Sequence, residues 1–148
     1  MRHETPPPPG PPPAVEHVGY DDVRQLRVAW HREDFPDSDP AAYLVQARGV
    51  AMARAVQVLA VREAGVPVAF AQLERHGDAA EITQVYVAPQ WRGAGRGTAM
   101  TRAAIAAAGD VQDLWIVADD EDRPKELYAR LGFRAAWWST ELLRPPAT

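Results

Sequence analysis

The chain has no cysteine. Disulfides, thiolate metal sites and a cysteine nucleophile are therefore excluded, and the absence fits a cytoplasmic protein. No apolar run approaches the roughly 20 residues that a membrane span needs, so no membrane partner is expected. The opening segment "MRHETPPPPGPPP" lacks the apolar stretch of a secretory signal. Lysine is nearly absent: Lys125 stands alone beside fifteen arginines, a bias we attribute to base composition rather than chemistry. The formal net charge is −4. That balance argues against a nucleic-acid partner, which a concentrated basic face would mark. His3, His17, His31 and His76 are scattered without ligand spacing, and no metal is expected. No internal repeat is found.

What remains is one domain's worth of chain, 148 residues, enough to bury a single core. Residues 1–13 are mostly proline and read as a mobile, disordered tail, with one globular domain over 14–144. "DDVRQLRVAWHRED" puts Val23, Leu26, Val28 and Trp30 near one helical face. "DPAAYLVQARGVAMA" predicts a second helix that starts at Pro40 and is capped by Asp39. "VQVLAVREAG" and "VPVAFAQLERHGD" read as strands joined by a turn at Ala64-Gly65, followed by the strand "AEITQVYVAP". An alanine-rich helix, "TAMTRAAIAAAG", stops at Gly109; then come the strand "VQDLWIVA", the helix "RPKELYARLG" and the strand "FRAAWWSTELL". Two helices, three strands and an alternating tail predict a mixed α/β sheet with helices on its faces.

The junction "RGAGRG", Arg92 to Gly97, lies where a strand becomes a helix. A helix start offers free N–H groups and the positive end of its dipole, and glycines let a backbone approach a phosphate closely. Arg92 and Arg96 would add positive charge, so the segment reads as a pyrophosphate cradle. The plainer alternative is a glycine-rich turn with solvated arginines. A P-loop needs a Gly-Lys pair, and the dinucleotide fingerprint needs its third glycine one residue later than Gly97; neither pattern fits.

The stretch "VYVAPQWRGAGRGTAM" resembles the acetyl-CoA signature of the GNAT superfamily, the Gcn5-related N-acetyltransferases, with Arg92, Gly95 and Gly97 in its three defining places. At the expected distance "KELYARLGF" is similar to that family's L-Y-x-x-L-G-F segment, and the likeness spans roughly Val56 to Phe133. The resemblance implies the GNAT fold. That fold is a central, mostly antiparallel twisted sheet whose fourth and fifth strands run parallel, flanked by helices. It also implies acetyl-CoA as cosubstrate, with the backbone of Val85, Tyr86 and Val87 pairing with the pantetheine arm. The loop of Arg92, Gly93, Ala94, Gly95, Arg96, Gly97 and Thr98 would hold the pyrophosphate. Acetyl would pass directly from the thioester to an amine.

Such a transfer needs a base for the ammonium, donors for the oxyanion and an acid for the departing thiolate. The resemblance gives the acid role to Tyr128, since a phenol with an ordinary pKa of about 10 can protonate a thiolate; the alternative is a core aromatic beside Leu127 and Leu131. It gives the base role to Glu81, or to water in its place. Strand alternation would put Glu81, Thr83, Val85 and Val87 on one face. Two departures stand out. Asp119–Asp122, "DDED", replaces an asparagine that often contacts coenzyme A, and reads best as a cap on the next helix. After Phe133 only one strand remains where the family has two, so the sheet ends early, is completed by a partner chain as in a homodimer, or leaves a protected edge. Trp91 would border the cofactor, with Trp137 and Trp138 divided between core and substrate rim. A non-catalytic coenzyme A or acyl-CoA binding module is the competing reading; it needs the cradle but neither Tyr128 nor Glu81.

Overall fold

The strand β4 (Val66–His76) lies at the centre of the sheet and accounts for much of its order. Phe70 on one of its faces is fully buried, and so are Ala69, Ala71 and Leu73, so the strand is covered on both sides. The computed structural model describes residues 1–3, 15–117 and 124–136. Around β4 lie β1 (Arg2–His3), β2 (Val15–Val18), β3 (Gln57–Glu63), β5 (Ala79–Val87), β6 (Asp113–Ile116) and β7 (Phe133–Arg134). The spatial order is β2-β3-β4-β5-β6-β1-β7. All neighbours pair antiparallel except β5 and β6, which are parallel and correspond to the expected parallel pair.

Among the described residues four helices flank the sheet: α1 (Arg24–Asp34), entered through a 3-10 turn, α2 (Pro40–Arg54), α3 (Arg96–Ala108) and α4 (Pro124–Arg130). The Asp39 side chain accepts the Ala41 N–H at 2.9 Å, and Pro40 opens α2 as the sequence predicts. On one side of the sheet Met100, Ala104 and Ile105 of α3 pack with Leu59, Ala71, Leu73 and Ile82, joined by Tyr128 and Phe133. On the other, Val23 and Leu26 pack with Val58, Ala60, Phe70 and Tyr86. Along β3 neighbouring residues alternate between these two cores, Val58 and Ala60 facing one and Leu59 and Val61 the other. No helix among the described residues is long and apolar enough to cross a membrane.

Three features differ from the sequence expectation. Met1 to His3 are not part of a mobile tail: Arg2 and His3 form β1 between β6 and β7, and Arg2 pairs with Asp113 at 2.6 Å. The cause is the far edge of β6, whose backbone groups are left open by β5 and are taken up by this short strand. Val15–Val18 forms an additional strand on β3 where none was expected. On α1 the buried residues include Arg27 and His31, whereas Val28 is only half-buried. The DDED run and Trp137 and Trp138, with the chain end beyond them, lie outside the described residues.

The β3–β4 turn has Ala64 at φ 49° and Gly65 at φ 78° between the paired residues Glu63 and Val66. Two central residues of positive φ are what a two-residue hairpin of type I′ requires, and alanine tolerates that region poorly. Ala64→Asn should therefore raise stability by roughly 0.5–1 kcal/mol, read as a higher urea midpoint at unchanged slope. An unchanged or lower midpoint would show that Ala64 carries no strain.

Candidate active site

β5 and β6 run together for only four residue pairs, from Ala79 with Asp113 to Ile82 with Ile116. Beyond Ile82, β5 continues to Val87 paired with β4 alone, and among the described residues no strand covers its other edge. At the same point the β4–β5 register slips: Gln72 faces Gln84 and Leu73 faces Ile82, which leaves Thr83 as the extra residue of a bulge. The bulge reverses the side-chain alternation. Ala80 and Ile82 point to the α3 side before it, and Val85 and Val87 point there after it. Glu81 is therefore on the opposite face from Val85 and Val87, and the expectation of one shared face is corrected.

The chain leaves β5 through Ala88 and a short 3-10 turn, Pro89–Trp91. Gly93 has φ 87° and Gly95 φ 79°, and an added Cβ at either would meet only open space. These two glycines are required by backbone conformation. Gly97 is not: its backbone is ordinary, but an added Cβ would sit 3.7 Å from Leu127 and 3.9 Å from Val87. An alanine there would make ordinary van der Waals contact with both. Gly95 is the residue before α3, whose first turn has no side-chain cap. The first N–H groups of the helix thus face the gap with the positive end of its dipole behind them.

The two loop arginines have carboxylate partners. Arg92 donates from Nε to the Val87 carbonyl at 2.9 Å and from Nη2 to Glu33 at 2.9 Å. Arg96 donates to the Trp91 carbonyl at 3.2 Å and to Glu63 at 2.7 Å, with its guanidinium over the Trp91 ring. They tie the loop to α1 and β3. The Val87 carbonyl, one of the backbone groups expected to face a ligand, already has Arg92 as its partner.

Strand edge, loop and α4 enclose a cleft of about 680 Å³. It gathers most of the expected residues: Val85, Tyr86 and Val87 from β5, the loop at Arg92, Gly93 and Gly95, the first residues of α3 at Arg96, Gly97 and Thr98, and Tyr128 from α4. Ala94, Trp91 and Glu81 are not in its wall. Glu81 lies instead close to the Met1 amine, in register with Trp115 of β6. Tyr128 is 6% exposed and meets Phe133 edge-on at 6.2 Å, so it both packs the core and faces the cleft.

Glu33 and Asp34, at the end of α1, also line the cleft and were not anticipated. Glu33 accepts from the Tyr86 hydroxyl at 2.9 Å as well as from Arg92. No local motif marks it, because its partners are more than fifty residues away; only the shared helix end of α1 would have hinted at it. Burial, reinforced by the Glu33 carboxylate, pushes the Tyr86 phenol up to about 12.

Residues 54–135 match the family model described as an acetyltransferase (GNAT) domain. Mycothiol acetyltransferase of Nocardia farcinica (strain IFM 10152) is 40% identical over 73 residues, which make up 49% of this chain and 24% of that protein. The chain spans about a quarter of the length of this curated relative. Among solved structures, AAC(6')-Iy in complex with the bisubstrate analogue CoA-S-monomethyl-acetylneamine aligns with a TM-score of 0.67 at 14% identity, over 88% of this chain and 97% of that one. A predicted acetyltransferase of Clostridium acetobutylicum solved with acetyl-CoA aligns with a TM-score of 0.67 at 20% identity, over 87% and 94% of the two chains. Likeness at these identities establishes the fold.

Tyr86 gives a test of the cleft wall. Its folded pKa of about 12 lies above the ordinary value of 10, so the neutral phenol stabilises the fold fully below about pH 10 and that contribution is lost as pH rises towards 12. Ultraviolet titration should show a late-ionising tyrosine component near pH 12 that is lost in Tyr86→Phe and shifted down in Glu33→Gln. A titration curve unchanged at high pH in Tyr86→Phe would contradict this arrangement.

Proposed function

Because the chain belongs to the acetyltransferase (GNAT) family, we propose that it moves an acetyl group from acetyl-CoA directly to a primary amine of a small molecule, peptide or protein. One observation carries the reading: the edge of β5 at Val85–Val87, which no described strand covers, leads through one short turn and the glycine loop to an uncapped helix start at Gly95. An extended arm with amide groups can lie along such an edge as a further strand, and a pyrophosphate suits free N–H groups at a helix start. The open space around Gly93 and Gly95 accommodates phosphates against the backbone. The named relatives are acetyltransferases, one solved with acetyl-CoA and one with a bisubstrate analogue.

In this reading the amine nitrogen bonds to the thioester carbonyl carbon, the carbon–sulfur bond breaks, and the proton lost by nitrogen is matched by one gained by sulfur. Tyr128 donates that second proton, consistent with its seat in the cleft wall. The backbone at Val85–Val87 holds the arm and the amides of Gly93 to Thr98 hold the pyrophosphate. Glu81 is not in the cleft wall, so a base role for it works through water rather than by direct contact.

Gly95→Asp places bulk and negative charge where the pyrophosphate would sit, and calorimetry should find coenzyme A binding abolished in a folded protein. Tyr128→Phe keeps the ring and removes the hydroxyl. With acetyl-CoA and an amine panel, followed by thiol release, turnover should fall by on the order of 10² with little change in coenzyme A affinity. Affinity within a few fold of wild type in Gly95→Asp would remove the phosphate site from this loop. Binding without turnover of any amine would favour the non-catalytic module.

A further inference from the structure

On the other face of the sheet, α1, α2, β4 and β5 enclose a second cavity of about 290 Å³. Its wall contains Arg27, which is only 5% exposed. Arg27 Nε and Nη2 have no hydrogen-bond partner, and Nη1 reaches only Gln84 Oε1, at 3.5 Å. No carboxylate pairs with it among the described residues. Its guanidinium is held flat by Tyr20, 3.8 Å from the ring centroid, and by Phe70 at 4.8 Å. Burial lowers its pKa, yet a guanidinium in a protein keeps its charge. By contrast Arg48, Arg54, Arg92 and Arg96 each have a carboxylate. A buried charge with two idle donors is expensive unless something completes it.

Cation–π contacts alone would make Arg27 a structural residue. They fix the plane of the fork but leave its N–H groups unused, since those donate in that plane. Gln84 Nε2 and Gln72 Oε1 in the same wall are also buried and unpartnered. The cavity thus presents three donors without acceptors and one acceptor without a donor. It also contains the buried Glu74, which is shared with Arg54 at 3.3 Å and His76 at 3.5 Å. A bidentate carboxylate satisfies the Arg27 fork. Gln84 in this wall adjoins Val85 in the wall of the acetyl-CoA cleft, so one strand separates the two spaces.

We propose that this cavity binds a carboxylate-bearing amine through Arg27 and that the acceptor is therefore of the amino-acid or peptide C-terminal class. The acceptor part of the proposal rests on the acetyltransferase reading above; the carboxylate site itself does not.

The experiment compares free amino acids with their own amides, in acetyl transfer and in ligand-induced thermal stabilisation without acetyl-CoA. Amides have the more easily deprotonated amine, so basicity alone favours them. The acids should nonetheless be preferred by roughly tenfold or more in kcat/KM. Arg27→Met, similar in length and uncharged, should cut that preference to below about twofold and abolish the thermal stabilisation, with coenzyme A affinity unchanged. Gln84→Met, a milder change, should weaken the preference severalfold and serves if Arg27→Met fails to fold. Equal use of acids and amides, or a preference that survives in Arg27→Met, overturns the proposal. If no amine is acetylated, the acceptor assignment falls with the acetyltransferase reading. Stabilisation by amino acids that is lost in Arg27→Met then upholds the carboxylate site, and no stabilisation overturns it.

Discussion

Four residue pairs hold β5 to β6, and the separation of the two strands after Ile82 shapes the whole site. Parallel neighbours in a sheet ordinarily satisfy one another's backbone along their length. Here β6 ends at Ile116 while β5 runs on to Val87, and the cleft lies along that continuing stretch of β5. The Thr83 bulge at the point of separation turns Val85 and Val87 towards α3 and Tyr86 towards α1. One extra residue therefore decides which side chains of β5 face α3 and which face α1.

The arginines divide the molecule's electrostatics between the two faces. Arg92 and Arg96 are neutralised by Glu33 and Glu63, and their hydrogen bonds to backbone carbonyls fix the loop's path. An anion in the cleft meets oriented amides and the Arg130 side chain rather than the paired arginines of the loop. Such amides are already in place and need no rearrangement to accept it. Arg27, behind the strand, is the reverse case: a charge without a counterion among the described residues, stiffened by two aromatic rings and open to the cavity. The two faces of β5 thus meet opposite electrostatic surroundings.

Local chemistry made much of this readable from sequence. Asp39-Pro40 fixed the start of α2, Ala64-Gly65 the β3–β4 hairpin, and the glycines of the loop the passage from β5 to α3. Each is a contact or dihedral set within a few residues. Features that depended on distant partners were not readable. Val15–Val18 has two exposed residues and takes its identity from β3. Thr83 gives no local sign of a bulge, because the bulge is a property of its register with Gln72 and Leu73. The same holds for Glu33, whose role appears only when Tyr86 and Arg92 approach it. Arg27 interrupts the apolar spacing of α1, and helical periodicity alone treats such a position as solvated.

Hydrogen exchange with and without coenzyme A tests most directly whether the separated edge of β5 and the start of α3 form one binding surface. Added coenzyme A should slow exchange at the amides of Val85–Val87 and of Gly93–Thr98 together, with much smaller changes on β2 and β3 at the far side of the sheet. Protection confined to other elements, or protection of the loop with the β5 edge unchanged, would contradict the account.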